Sequence, residues 1–181
     1  MFRLTIIFFT FLTVFMLSSS GQQLVGAAEN IQCSTVAMPD LRNAKIGVMT
    51  FVDGKTCTSD GLAGGCDWEH TISKDEILRP APEKDLRLIV INANHLTGSG
   101  LWDTVLIFDC FNGNLRKIFE KRYLYGVKIK KNTNSEITFI SGDWQPDDPT
   151  CCPSREKKET YLWDLNKNSY ILESAAPLPT D

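Results

Sequence analysis

The chain has 181 residues, 43% of them hydrophobic, with 19 Lys and Arg against 22 Asp and Glu and a net charge of −3. Both signs are mixed along it, so there is no clustered basic face of the kind that binding to nucleic acid requires. The apolar content is ordinary for one globular domain.

Residues 1–27 carry the strongest local pattern. Met1-Phe2-Arg3 is a short basic start, Leu4 to Leu17 is an apolar run broken only by threonines, and Ser18 to Gln23 turns polar. Val25-Gly26-Ala27 then places small residues at −3 and −1 of a cleavage site, the order of a secretory signal peptide. The 14-residue run is short of the roughly 20 residues that cross a hydrocarbon core. Cys33 follows Ile31-Gln32 rather than a lipobox, so no stable membrane anchor is expected after cleavage. The mature chain is expected to be exported, periplasmic or secreted. It keeps 154 residues, with 18 basic against 22 acidic side chains and a net charge of −4. That length suits one domain burying about two-thirds of its surface.

All six cysteines (Cys33, Cys57, Cys66, Cys110, Cys151 and Cys152) lie beyond the leader. In an oxidising compartment an even number reads as up to three bridges. Cys57 and Cys66 are the easiest pair, because a pliable Gly-rich loop separates them. Cys110, in an expected strand, could be stapled to the Pro-rich loop that holds Cys151 and Cys152. A vicinal Cys151–Cys152 bridge is the sharper alternative. It would be strained, since adjacent Cα atoms sit about 3.8 Å apart, below the usual disulfide limit of about 4.4 Å. No C-x-x-C occurs, which argues against zinc.

In chain order, residues 28–43 read as an irregular strap tied down through Cys33. Ile46 to Val52 reads as a strand ended by the Asp53-Gly54 turn, and Asp67 to Ile72 as a second short strand. Ser73-Lys74-Asp75-Glu76 matches a capping box and predicts one short helix, stopped by Pro80 and Pro82. Arg87 to Asn92 is a continuous apolar strand and hence central. Asn112-Gly113 predicts a two-residue hairpin within Thr104 to Lys121. Its register sets Asp109 opposite Arg116, Cys110 opposite Leu115, Ile107 opposite Ile118 and Leu106 opposite Phe119. Two more hairpins follow, Val127–Lys131 with Glu136–Ser141 and Thr160–Leu165 with Ser169–Leu172. Residues 174–181 read as a disordered tail. Trp102-Asp103 and Trp163-Asp164 match the dipeptide of propeller blades, but the mature length is too short for four blades of about 40 residues. The expected fold is mainly β over residues 44–173: a single antiparallel sheet of six to eight strands, curled or sandwich-like, built from hairpins with one short helix.

Ser141 to Arg155 concentrates Asp143, Trp144, Asp147 and Asp148 with three prolines and the cysteine pair. The carboxylate spacing lacks the ligand order of a calcium loop. A proline-stiffened loop presenting Trp144 to a partner fits better, because stiffness lowers the entropy lost on binding. The alternative is a strap whose tryptophan covers core. Asp148-Pro149-Thr150-Cys151-Cys152-Pro153-Ser154-Arg155, followed by Tyr161-Leu162-Trp163-Asp164, resembles the D-P-x-C-C-P-S segment and tryptophan strand of the LppP/LprE-like bacterial exported proteins. That resemblance implies a bacterial envelope setting and transfers no catalytic residue.

His70 and His95 are the only histidines. Glu69 and His70 are adjacent on an expected strand and so point to opposite faces. A Ser99–His95 dyad lacks a nucleophile elbow and an orienting acid. Gly98-Ser99-Gly100 is too short to cradle a phosphate. No cofactor or metal is expected. The expected function is a non-catalytic exported domain that contacts an envelope or extracellular protein or glycan. Inhibition of an extracellular hydrolase through the Trp144 loop is the first alternative, and a hydrolase around His70 or His95 the second.

Overall fold

In a computed structural model, residues 31–59, 65–98, 100–133, 135–149 and 152–179 are described. The expected leader lies outside them. Among the described residues eleven strands run in chain order: β1 (Lys45–Ile46), β2 (Met49–Thr50), β3 (Lys55–Thr58), β4 (Trp68–Ala81), β5 (Lys84–His95), β6 (Leu101–Phe111), β7 (Asn114–Leu124), β8 (Lys128–Thr133), β9 (Glu136–Asp143), β10 (Arg155–Asp164) and β11 (Ser169–Pro177). The mainly β, antiparallel expectation holds. The strands form a five-stranded sheet, β3-β4-β5-β6-β7, a four-stranded sheet, β11-β10-β9-β8, and a β1-β2 ribbon, rather than one sheet.

Two hydrophobic clusters divide the five-stranded sheet by side-chain parity. Ile89 and Ile91 of β5, with Leu106 and Phe108 of β6, face Cys33, Leu41, Ile46 and Phe51 of the N-terminal segment. Leu86, Leu88, Val90, Val105 and Ile107 face the other way, against Ile137, Phe139, Tyr161 and Tyr170 of the four-stranded sheet. Strand β5 is therefore buried on both faces, which is why it is a near-continuous apolar run. Each of its fully buried aliphatic side chains contributes about 1.5–3 kcal/mol relative to exposure.

The predicted helix at Ser73–Glu76 is strand: these residues lie inside β4. The only helical turn among the described residues is a 3-10 turn, Leu41–Asn43, in the strap. The register steps from Ile72↔Ile91 to Lys74↔Val90, leaving Ser73 as a bulge residue, whose hydroxyl donates to Val90 O at 3.3 Å. The bulge flips the pleat. Ile72 thus faces the strap while Leu78 faces the second sheet. A second irregularity between Leu78 and Ala81 accommodates Pro80, since proline cannot donate to a ladder. Ile46–Val52 is likewise not one strand: Gly47, at φ 62°, turns the chain between β1 and β2.

The three predicted hairpins form. At the first, Phe111↔Asn114, Cys110↔Leu115 and Asp109↔Arg116 agree with expectation. Beyond them Ile107 faces Phe119 and Leu106 faces Glu120, one residue off, because Ile118 bulges out of β7. The third hairpin extends further than expected. Strand β11 continues to Pro177, so residues 174–177 of the expected tail are strand.

Among the described residues two disulfides close the fold. Cys57 pairs with Cys66 across a Cα–Cα distance of 5.5 Å, as expected. Cys110 pairs with Cys33 at 6.0 Å, not with the Pro-rich loop, so the strap is stapled to the central hairpin. Cys152 is exposed and unbridged, and Cys151 lies outside the described residues. The sheet edges are blunted against further pairing. Strand β3 has four residues, β8 carries Lys128, Lys130 and Lys131, β7 carries Arg116, Lys117, Lys121 and Arg122, and β11 has a bulge at Glu173 and ends in Pro177.

Candidate functional site

The chain gathers two of its four tryptophans and a tyrosine near one end of the paired sheets. Trp144 leaves β9, Trp102 opens β6, and Tyr125 follows β7. The Trp144 ring centroid lies 5.9 Å from Trp102 at an interplanar angle of 35°. Tyr125 meets Trp144 edge-on, 6.1 Å away at 84°. Such tilted and edge-to-face pairs add about 0.5–1.5 kcal/mol beyond their buried area. Trp144 is therefore half-buried in an aromatic wall and not simply held out into solvent.

The wall is set by backbone. Gly142 N–H donates to Tyr125 O at 2.9 Å. A Cβ on Gly142 would lie 2.2 Å from Pro153 Cγ and 3.1 Å from Tyr125 Cβ, so only glycine lets the loop return this close to β9. Below the turn, Asp103 is 2% exposed. Its carboxylate accepts from Val127 N–H at 2.6 Å and from the Asn92 side-chain amide. Burial raises its pKa above the ordinary carboxylate value, and the two hydrogen bonds offset part of that rise.

The β9–β10 loop closes on Asp148. Its Oδ2 accepts from Gln145 N–H at 2.7 Å and from Ser154 N–H at 3.0 Å. The bonds from Ser154 and then Gln145 hold its pKa below the usual value. Asp143 is likewise occupied, accepting from Gln145 Nε2 at 3.1 Å, while Asp147 is exposed. The carboxylates thus organise the loop. Among the described residues no group of three or more His, Cys, Asp or Glu side chains could hold a metal ion.

Beside the loop runs a groove of about 640 Å³, lined by Tyr125, Lys128, Pro153, Arg155 and Leu178 among others. Lys128 reaches Glu156 across its rim at 2.8 Å. Tyr125 belongs to both features, touching Trp144 and lining the groove. A second depression of about 340 Å³ opens at Ile77, Arg79, Lys131 and Ile137. It lies over core residues and carries none of the predicted site residues.

The histidines occupy one face of the five-stranded sheet. His70 stands opposite Ala93, and Trp68 opposite His95, two residues along. His70 Nε2 lies 2.8 Å from Thr58 Oγ1, and burial lowers its pKa. His95 packs edge-on to Trp68 at 4.7 Å, with its Nδ1 3.4 Å from Thr97 Oγ1. Their hydrogen-bond partners are hydroxyls. Ser99, the partner in the dyad considered above, lies outside the described residues.

Sequence reasoning singled out Asp143, Trp144, Asp147 and Asp148 but missed Trp102, Asp103, Tyr125 and Gly142. The Tyr125-Gly126 turn just before β8 was the available signal, since it places an aromatic ring at a hairpin corner. Comparison with protein families, curated proteins and solved structures finds no match to this chain.

Proposed function

We propose that the chain is an exported, non-catalytic β domain of the bacterial cell envelope that contacts an extracellular protein or glycan through its Trp144 end. The observation that carries this reading is the junction at Tyr125, one ring shared between an aromatic wall and an open groove. Aromatic rings supply large contact area at low entropic cost, and a groove beside them supplies polar groups that set orientation. Two disulfides support an oxidising compartment. The leader pattern and the likeness of Asp148–Arg155 to LppP/LprE-like proteins support the envelope setting.

Two measurements test it. Peptide mapping without reduction, on protein purified from its host, should give a mature N-terminus at Ala28 with both bridges closed. Cytosolic protein retaining Met1 and free thiols would refute export. Screening the mature protein on glycan arrays and on extracts of envelope proteins should give binding that Trp144→Ala and Tyr125→Ala weaken at least tenfold. Binding indifferent to both would move the site elsewhere.

A second reading has its own observation. Asp148 ties both ends of the 144–154 loop, and such preorganisation suits an inhibitor of an extracellular hydrolase. Removing residues 145–148 with the fold intact would abolish that inhibition.

A further inference from the structure

A buried carboxylate needs a reason when no cation neutralises it. Elsewhere in the molecule the buried carboxylates have one. Asp109 accepts from Lys84 at 2.8 Å and Arg116 at 3.3 Å, and Glu159 meets Lys121 at 2.8 Å. Among the described residues, Asp103 is bonded only by dipoles, Val127 N–H from the turn and the Asn92 amide from β5. Leu124 of β7 stands opposite it and Thr71 of β4 opposite Asn92, both uncharged. Charged groups along the same face include Lys121, opposite Val105 and bonded to Glu159 Oε1 at 2.8 Å, and Glu69 of β4, two residues from Thr71. Tyr125 is the titratable group on the turn itself. Lys128, at the start of β8, is engaged with Glu156.

We infer that Asp103 is the positioning residue of the proposed binding site: its carboxylate clamps the Tyr125–Val127 turn from beneath, and its protonation loosens the Tyr125–Trp144 wall. The chain of contacts is short. Asp103 Oδ2 holds Val127 N–H, and the same turn carries Tyr125. Tyr125 O accepts from Gly142 N–H, and the Tyr125 ring meets Trp144. An ionised acceptor makes roughly twice the bond of a neutral one. When the carboxylate takes a proton, the Asn92 amide can rotate to accept it, and Val127 N–H is left with a neutral acceptor. Burial favours the protonated form, so the change falls above the usual carboxylate range rather than at extreme acidity.

The inference rests on the binding reading for its purpose, but its test uses no ligand, so the two fail separately. The full mature protein, labelled with ¹⁵N and with 5-fluorotryptophan, is titrated from pH 3 to 8 by NMR. The Val127 amide and the Trp144 fluorine signal should shift together, with one midpoint above that of an ordinary aspartate. Both shifts should vanish in Asp103→Asn. Should that variant fail to fold, Asn92→Leu serves instead: it removes one bond to the carboxylate and should move the shared midpoint upward. A Trp144 signal that stays still while Val127 titrates would overturn the inference, as would a midpoint unmoved in Asn92→Leu.

Discussion

Arg87 and Asp75 meet through two parallel hydrogen bonds, Nε to Oδ1 and Nη2 to Oδ2, each 2.7 Å, on the strap-facing side of the five-stranded sheet. Arg87 is 7% exposed. Its remaining nitrogen, Nη1, donates to Val36 O at 3.3 Å and to Pro39 O. One guanidinium therefore joins β4, β5 and the N-terminal strap. Arg87→Ala should cost about 3 kcal/mol, the lower end for a broken buried pair, because Asp75 keeps some solvent. Arg87→Lys should recover little, since a point charge cannot satisfy the fork and the strap carbonyls together. Urea unfolding of the variants measures both. A loss below about 0.5 kcal/mol for Arg87→Ala would make the fork a surface ornament.

The two disulfides should differ in worth. Cys33–Cys110 closes a separation of 77 residues and Cys57–Cys66 one of 9. Chain entropy then assigns about 4.5 kcal/mol to the long bridge and about 2.6 kcal/mol to the short one. The double variants Cys33→Ala/Cys110→Ala and Cys57→Ala/Cys66→Ala should rank in that order by denaturant midpoint. The long-bridge variant should also release the strap, seen as proteolytic cleavage between Val36 and Asn43. Equal losses would mean that native packing, not loop closure, sets the value of each bridge.

What could be read beforehand, and what could not, follows from how local each determinant is. Asn112-Gly113 carries its hairpin in two residues, because both must adopt positive φ, at 51° and 77°. The register next to the turn came out as expected. It failed beyond Phe108 because the Ile118 bulge is fixed by a distant partner, Ser169 Oγ donating to Ile118 O at 3.0 Å. Ser73–Glu76 failed as a helix for the same reason. Ser73 sits in a bulge, Asp75 binds Arg87, and Lys131 of the other sheet reaches Glu76 at 2.7 Å. In the candidate site, Trp144 stood out by its surroundings in the chain. Its partners Trp102 and Tyr125 come from β6 and from the turn after β7, and no short segment encodes that meeting.

Gly142 should be the least tolerant glycine near the candidate site. The Cβ of an alanine would overlap Pro153 Cγ at 2.2 Å and crowd Tyr125 Cβ at 3.1 Å. Proline is rigid and Tyr125 is tied through its carbonyl to Gly142 N–H. Overpacking of this kind costs about 1–3 kcal/mol. Gly142→Ala should therefore lower stability and shift the Trp144 fluorine resonance, while the histidine face stays as it is. Gly113→Ala provides the contrast. Nothing lies within 4 Å of its Cβ, but its φ is 77°, so its cost is backbone strain alone and Trp144 should not respond.

His70 should make stability fall as the solution is acidified. Its ring is partly buried against Thr58 Oγ1, and desolvation lowers its pKa from the ordinary 6.5. The unfolded chain, with a normal histidine, therefore takes its proton first as pH drops. Between about pH 6.5 and the lower folded pKa the unfolded state binds more protons, so unfolding free energy rises with pH across that window and is flat below it. His95 supplies the comparison, since it packs on Trp68 and lies against Thr97 Oγ1 at 3.4 Å. Urea midpoints measured from pH 5 to 8 should slope for the native protein and for His95→Gln. The slope should flatten in His70→Gln, whose amide can still meet Thr58. A slope that survives His70→Gln but disappears in His95→Gln would assign the proton to the other ring.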